Sequence, residues 1–395
     1  MKLVSRPPAA GSPAGTATIY DVARAAGVSP ATVSRVLNGS ARVVPATRAR
    51  VEAAIRQLDF YPNDLAPGRA RRGTGMVGIV VPDITNPLWA EVALGAEETL
   101  RSSGYGVILT NTGDSPDRQE EAIAMLRRKR ADGLLVAALR HAGPSLRRAR
   151  AAGIPVVLLS RGADDGTFDL VTVDARRAAF LATEHLLQLG HRRIGLLGGP
   201  PDEQTTAVRR EGYLDALAGY GIGSREATAW IAEGPGWGLA AGRRRMSELL
   251  GRNAGITAIV AVTDVMAMGA WQVLAEAGLR VPLDVSLASL EDIELAGVVP
   301  PGLTTAGQPP ADRGRIAAEI LLERLRTRLP GGLHDATLAG SGPRRVVLQP
   351  RLVRRGSTAP RLEHIAAGIA TAGAHAPDRS GAPSRQIAKE HARAT

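Results

Sequence analysis

The sequence predicts an α/β body of two lobes, each built on a doubly wound parallel sheet, preceded by a small all-α domain. From residue 77 onward, short apolar runs recur: VGIVVPDI, YGVILTNT, GLLVAAL, IPVVLLS, DLVTVD, RIGLLGGP, ITAIVAV and VSLASL. Such runs read as strands buried on both faces. Amphipathic helical stretches separate them at 87–102, 117–130, 143–152, 175–189, 206–218, 237–251, 264–277 and 311–328. Strict alternation of this kind is the pattern of a doubly wound sheet. Eight strands with a long crossing suit two similar lobes better than one sheet. Residues 17–63, by contrast, hold three short helical patterns and no strand.

Residues 1–16 are rich in Pro, Ala, Gly and Ser and read as a disordered leader. Thr18 then starts a helix as N-cap, with Asp21 completing a capping-box-like turn. Ile19, Val22, Ala23 and Ala26 recur at helical spacing until Gly27 stops them. Ser29 caps a second helix with Pro30 at its favoured first position, and Val33, Val36 and Leu37 form its apolar face. Asn38-Gly39 ends it. A third helix opens at Pro45 and runs through Val51, Ala54, Ile55 and Leu58. Residues 64–74 read as a hinge, 75–356 as the two-lobed body, and 357–395 as a disordered basic tail rich in Ala, Gly, Ser, Pro and Arg.

Composition excludes several classes of function. No apolar run approaches the roughly 18 residues of a membrane span, and MKLVSRPPAAGSPAG has no apolar core of a secretory signal. A cytoplasmic protein without a membrane partner is therefore expected. The chain has no cysteine, which removes thiol nucleophiles and cysteine-ligated zinc, and its histidines show no HxxxH or HExxH spacing. No metal and no cofactor is expected. Neither GxGxxG, GxxxxGK[ST] nor GxSxG occurs, so no catalytic residue is assigned and the chain is read as a non-enzyme. Charge is polarised: residues 1–73 carry 11 basic and 4 acidic side chains, residues 344–395 carry 10 and 3, and residues 74–343 carry 28 and 31. A slightly acidic middle between basic ends points to a polyanion-binding head, although solvated tails give the same tally at the C-terminus.

Two short helices joined by a glycine-containing turn and followed by a third are the parts of a helix-turn-helix unit. The outer face of the second helix carries Pro30, Ala31, Thr32, Ser34, Arg35 and Asn38, small or hydrogen-bonding residues suited to a major groove. Arg35 is the candidate guanine reader, because a guanidinium matches the two acceptors of that base. The hydroxyls and Asn38 suit phosphates, which position the helix without reading sequence. A helical protein–protein module is the competing reading of the bare pattern.

The string TIYDVARAAGVSPATVSRVLNGSARVVPATRARVEAAIRQLDFYPN resembles the N-terminal domain of LacI/GalR-type transcriptional regulators. The resemblance continues through VGIVVPDITNPLWAEVALGAEETLRSSGYGVILTNT, LGHRRIGLLGGP, AVTDVMAMGAWQVLAEAGLRVPLDVSLASLED and PPGLTTAGQPP. It implies a homodimeric repressor, or a dimer of dimers, binding a pseudo-palindromic double-stranded operator. It also implies a periplasmic-binding-protein-like body with a small-molecule effector in the cleft, a sugar or sugar derivative ahead of a purine. Carried over by position, Tyr20, Ser29, Thr32, Ser34 and Asn38 match phosphate-contacting or positioning residues. Pro30, Ala31 and Arg35 match base-reading positions. Arg42 and Arg69 complete the expected DNA-binding set. Val44 stands where Ser is usual.

In the cleft, the resemblance points to Leu88, Trp89, Arg209, Trp237, Thr263, Asp264 and Glu291 as effector-binding residues. Sugar sites pair flat rings with groups that bond hydroxyls, and tryptophans are few in this chain, so the placing of Trp89 and Trp237 is informative. Trp230 and Trp271 read as packing residues. Asp174 matches the first residue of a DNxxG motif whose Asn and Gly are here Ala175 and Ala178, and SLED replaces a GYDD-like string.

The hinge departs most. The family's short helix, which inserts a Leu into the minor groove, corresponds here to Asp64-Leu65-Ala66-Pro67-Gly68-Arg69-Ala70-Arg71-Arg72-Gly73. Pro67 and Gly68 cost about 3 and 1 kcal/mol inside a helix, and Arg69 takes the Leu position. An Arg enters a narrow minor groove electrostatically but is no apolar wedge. Either Arg69, Arg71 and Arg72 hold phosphates or the minor groove on weakly bent DNA, or the segment is a plain linker. On the first reading, FRET between labelled operator ends shows a shallow bend; a sharp central kink abolished by Arg69→Ala would refute it.

Overall fold

A computed structural model describes residues 17–37, 42–60, 73–137, 143–160, 166–252, 255–328 and 342–361. The expected leader, Asn38, residues 61–63 of the helical domain and hinge residues 64–72, including Pro67, Gly68 and Arg69, lie outside these residues. The chain divides into two compact units, Met1–Thr74 and Gly75–Thr395.

The first unit contains α1 (Ile19–Ala26), α2 (Pro30–Leu37) and α3 (Pro45–Gln57). Thr18 caps α1 in a full capping box, its Oγ1 accepting from the Asp21 N–H while the Asp21 carboxylate accepts from the Thr18 N–H at 2.9 Å. The Thr18 hydroxyl donates to the same carboxylate at 2.6 Å, and this bond, followed by that from the Thr18 N–H, holds the Asp21 carboxyl below its ordinary range. Gly27 closes α1 at φ 64°, a left-handed value that costs glycine nothing. Val22, Ala23, Ala26, Val33, Val36, Val51, Ala54 and Phe60 make the miniature core. Val44, as N-cap of α3, gives it no side-chain hydrogen bond.

In the second unit, β1 (Met76–Val81), β2 (Gly106–Asn111), β3 (Gly133–Val136), β4 (Val156–Leu158), β5 (Asp169–Val173) and β11 (Arg345–Leu348) form one sheet in the order β11-β5-β4-β3-β1-β2. The other runs β12-β10-β9-β8-β6-β7, from β6 (Ile194–Leu197), β7 (Ile231–Ala232), β8 (Ala258–Ala261), β9 (Ser286–Ser289), β10 (Thr304–Gly307) and β12 (Arg351–Val353). Both sheets are doubly wound in the same sense, with the strand order reversing beside β1 in the first and β6 in the second. The helices are α4 (Pro87–Ser102), α5 (Pro116–Arg128), α6 (Pro144–Ala151), α7 (Ala175–Gln188), α8 (Gln204–Gly219), α9 (Ser224–Thr228), α10 (Leu239–Gly251), α11 (Asp264–Glu276), α12 (Glu294–Val298) and α13 (Pro310–Arg328).

The eight apolar runs and eight long helices read from sequence are all present. Four strands and two short helices were not foreseen. β10 is TTAG, fully buried without one large apolar side chain, and β11 and β12 are short edge strands. β12 runs antiparallel to β10, a departure from the all-parallel expectation, because it follows β11 directly and enters the second sheet from the opposite end. The chain crosses between lobes after β5, after β10 and between β11 and β12. Gln308 donates to the Gln349 carbonyl and ties two of these crossings together.

The body also extends past residue 356, the boundary expected for the tail. Ser357 is buried; its Oγ donates to the Leu287 carbonyl at 2.5 Å and accepts the Thr304 N–H at 2.8 Å, so it links β9 to β10. The Arg361 N–H donates to the Leu189 carbonyl at 2.9 Å. A Cβ on the adjacent Gly356 would collide with the Pro301 carbonyl, so a small residue is required there.

Several helix pairs approach at backbone distance. A Cβ on Gly95 would collide with the Ala311 carbonyl and one on Gly314 with the Val92 carbonyl, which fixes α4 against α13. Gly242 and Gly269 meet the carbonyls of Met266 and Leu239 between α10 and α11, and Gly212 meets that of Arg176 between α8 and α7. Gly314→Ala is expected to destabilise the protein by about 1–3 kcal/mol. Gly219→Ala, in open space at the end of α8, is expected to be neutral or stabilising by up to about 1 kcal/mol. Urea unfolding midpoints measure both.

Candidate functional site

On the helical unit, burial of Val33 and Val36 turns the opposite face of α2 outward. Ala31, Arg35 and Ser29 are exposed, as are Tyr20 and Arg42 nearby in sequence. Pro30, Thr32 and Ser34 are half-buried. Ser29 Oγ accepts the Thr32 N–H at 3.2 Å and lies 3.0 Å from Thr32 Oγ1, so the two hydroxyls form a fixed pair at the start of α2. The helix thus presents its N-terminal turn with Arg35 one turn further on. Asn38 and Arg69 lie outside the described residues.

In the two-lobed unit, the carboxyl ends of β1, β3, β4 and β5 in the first sheet and of β8, β9 and β10 in the second face a cavity of about 180 Å³, far beyond the 10–15 Å³ or so that a single water needs. This is where a doubly wound fold places ligands. Leu88, Trp89, Arg209, Trp237, Thr263 and Glu291 all line it. Asn86 caps α4, its Oδ1 accepting the Leu88 N–H at 3.1 Å, and so aims Leu88 and Trp89 inward. Leu88 belongs to the apolar core of the second lobe although α4 packs in the first, and Trp89 touches the cores of both.

Trp237 is held by its backbone. The Thr263 hydroxyl donates to the Trp237 carbonyl at 2.8 Å and caps α11 through the Met266 N–H at 3.1 Å. Arg245, buried on α10, reaches the carbonyls of Gly234, Pro235 and Gly236 and clamps the loop that precedes Trp237. Burial, followed by neighbouring Arg244, depresses its pKa to about 10.

Asp264 does not line the cavity. Its side chain is fully buried, and its two carboxyl oxygens accept the N–H groups of Glu291 at 3.3 Å and Ile293 at 2.8 Å. The position expected to touch effector instead shapes the turn that presents Glu291. Glu291 returns the bond, accepting the Asp264 N–H at 3.2 Å. Burial, then the Asp264 charge, pushes the Glu291 carboxyl up to about 8, with Arg209 and Arg313 opposing. Asp264 is raised too, by burial. Ala175 and Ala178 line the cavity while Asp174 caps α7 through the Arg177 N–H. Trp230 is buried and Trp271 packs on the second-lobe core.

Sequence reading missed Arg313, which lies half-buried in the first turn of α13. Its guanidinium sits over the Trp89 ring at 5.8 Å, and that of Arg209 over Trp237 at 5.6 Å. The available signal was electrostatic: a cation in the first turn of a long helix opposes the macrodipole and calls for an anionic neighbour. Asp83, Asn86, Asp114, Glu203 and Gln308 were missed as well. They follow strand ends in polar loops with no periodicity to mark them.

A profile described as periplasmic binding proteins and sugar binding domain of LacI family matches residues 74–349, and one for bacterial regulatory proteins, lacI family, matches residues 18–63. The HTH-type transcriptional repressor PurR of Proteus mirabilis (strain HI4320) is 35% identical over 345 residues, covering 87% of this chain and 97% of that one. The ribose operon repressor of Escherichia coli (strain K12) is 33% identical over 342 residues, covering 86% and 99%. Among solved structures, a lac repressor dimer bound to operator and the anti-inducer ONPF superposes with a TM-score of 0.72 at 27% identity over 87% of this chain and 99% of that one. A transcriptional regulator CelR–cellobiose complex gives 0.63 at 32%, covering 86% and 99%.

The raised Glu291 carboxyl makes stability depend on pH. Its folded value of about 8 lies above the ordinary 4.5, so the stabilisation it contributes is complete below 4.5 and is lost as pH rises through 8. Melting temperature is expected to fall between about pH 4.5 and 8, and to fall less in Glu291→Gln, whose amide oxygen still accepts the Asp264 N–H. Parallel decline of the two proteins would remove Glu291 as the cause.

Proposed function

The chain belongs to the LacI family of bacterial transcriptional regulators, and from that premise we propose that it represses transcription by holding a pseudo-palindromic operator as a homodimer, or dimer of dimers, in the cytoplasm. A small-molecule effector in the interlobe cleft sets its affinity for DNA. The observation that carries the DNA half is the outward face of α2, where Ala31 and Arg35 stand exposed on a helix whose other face is committed to the head's core. On this reading Arg35 pairs with a guanine, Pro30 and Ala31 offer apolar contact, and Tyr20, Ser29, Thr32, Ser34, Asn38, Arg42 and Arg69 meet phosphates or the minor groove.

For the effector, the cavity lining favours a sugar or sugar derivative over a purine. Asp83, Asn86, Asp114, Glu203 and Gln308 supply acceptors and donors for hydroxyls. A purine would find few of its needs met by so many groups suited to hydroxyls, while Trp89 and Trp237, each with Arg313 or Arg209 over one side of its ring, supply the flat apolar walls of a sugar site. The chain works by binding rather than turnover: the effector shifts the balance of two body conformations that hold the heads differently, and its influence equals its difference in affinity for the two.

Genomic DNA selection with purified full-length protein tests this reading. Enrichment of one pseudo-palindrome, with half-sites about one helical turn apart, is expected; salt-sensitive enrichment of bulk DNA alone refutes it. With that site as probe, Arg35→Ala is expected to weaken specific binding about 5- to 150-fold, the equivalent of 1–3 kcal/mol for a bidentate base contact. Binding to unrelated DNA should change far less.

A further inference from the structure

The innermost part of the cleft is built from two arginines and one carboxyl group. Arg209, from α8 in the second lobe, and Arg313, from α13 in the first, are close enough that the Arg209 charge opposes that of Arg313. Each rests over a tryptophan of its own lobe, and in each the Nε is buried without a hydrogen-bond partner. Neither guanidinium forms an ion pair or hydrogen bond with any described residue. Arg324, by contrast, grips Asp169 with two bonds of 2.9 and 2.7 Å, and Arg355 meets Asp292 at 2.7 Å; Arg127 and Arg245 also keep a buried Nε without a partner, but neither lines the cavity. A buried donor without a partner is costly, so the unsatisfied pair marks the place of a missing acceptor.

The surroundings narrow what that acceptor is. Glu291 and Asp264 are the carboxyl groups whose charge reaches Arg209. Asp264 is taken up by the two backbone N–H groups of the 291–293 turn, and Glu291 is bonded to the Asp264 N–H. The N-terminal ends of α8, α11 and α13 all open on the cavity, through Gln204, Thr263 and Arg313, and helix N-termini favour anions. The remaining carboxylates, Asp83, Asp114 and Glu203, gather separately: burial and then the other two raise Asp114, and none of the three bears on either arginine. The cleft is therefore polarised, with free guanidinium forks at one end and hydroxyl-accepting carboxylates at the other.

Building on the reading of this cleft as the effector site, we infer that the effector is a polyhydroxylated molecule bearing an oxyanion, a carboxylate or phosphate, received between Arg209 and Arg313. The two guanidiniums come from opposite lobes, so the oxyanion joins the lobes and its binding energy acts directly on their closure. Planar forks suit such a group bidentately.

The test is thermal shift and calorimetric titration of the full-length protein with matched probes: D-glucose, D-gluconate and D-glucose 6-phosphate; D-ribose and D-ribose 5-phosphate; cellobiose; and hypoxanthine. At least one oxyanion probe is expected to bind roughly tenfold or more tighter than its neutral counterpart. Gluconate against the phosphates tells carboxylate from phosphate. Arg313→Leu should erase that preference while leaving the unliganded melting temperature close to wild type, and Arg313→Lys, which keeps charge but loses the fork and folds even if the leucine variant does not, should retain part of it. A neutral sugar or hypoxanthine binding as tightly as any oxyanion, with Arg313→Leu indifferent, overturns the oxyanion assignment and leaves the effector cleft intact. Binding of no probe at all overturns both.

Discussion

Backbone-to-backbone contact between paired helices is the constraint from which the geometry of the cleft follows. α4 and α13 touch through Gly95 and Gly314, with no side chain between them to absorb a change. Those helices carry Trp89 and Arg313, so their register sets the stacking of one on the other. α10 and α11 repeat the device with Gly242 and Gly269, and the segments at their starts supply Trp237 and Thr263. A leucine–leucine interface tolerates shifts by changing rotamers; a glycine–carbonyl interface has no rotamer to change. Most of these cavity-lining groups are loop and first-turn residues, with Arg209 in the second turn of α8, yet they inherit the rigidity of the helix pairs beneath them.

Onto this frame the chain places charge where solvation is poor. Glu291 near 8 and Arg313 near 10 both move toward their neutral forms for the same reason, removal from water, and each opposes the other's shift. Asp264 resolves the conflict on one side by turning its oxygens to backbone donors. Nothing resolves it on the other side, where the guanidiniums face open cavity. Sites that discriminate among small polar molecules are built this way, because a ligand that fails to satisfy buried donors is rejected by the full cost of leaving them unpaired.

Much of this was legible in the amino-acid order. Apolar runs and helical periodicity gave the strand–helix alternation, since burial on both faces leaves a signal that needs no tertiary knowledge. Trp89, Trp237, Arg209, Thr263 and Glu291 converge on one cavity as expected. The failures have distinct causes. β10 is buried among side chains so small that Thr, Ala and Gly suffice, and its strand carries no hydrophobic run. Ser357 looked like tail because serine beside glycine reads as loop, whereas its hydroxyl spans two strands. Asp264 was assigned to the ligand because sequence position does not tell whether a carboxylate faces a cavity or the N–H groups of a turn. Arg313 was hidden within a helix otherwise correctly placed, its meaning dependent on which helix ends meet in space.

Leu88 has a consequence for how such a molecule switches. A residue of the first lobe is seated in the core of the second, so any separation of the lobes withdraws it and exposes apolar surface. Full burial of a leucine is worth about 1.5–3 kcal/mol, a factor of roughly 10 to 150 in a two-state population. Intermediate openings are disfavoured, because half-withdrawing a side chain forfeits packing on both sides without admitting water to replace it. On the proposed effector reading, the side chain would act as a detent, giving the body a threshold rather than a sliding scale, and one low enough for a single small ligand to cross.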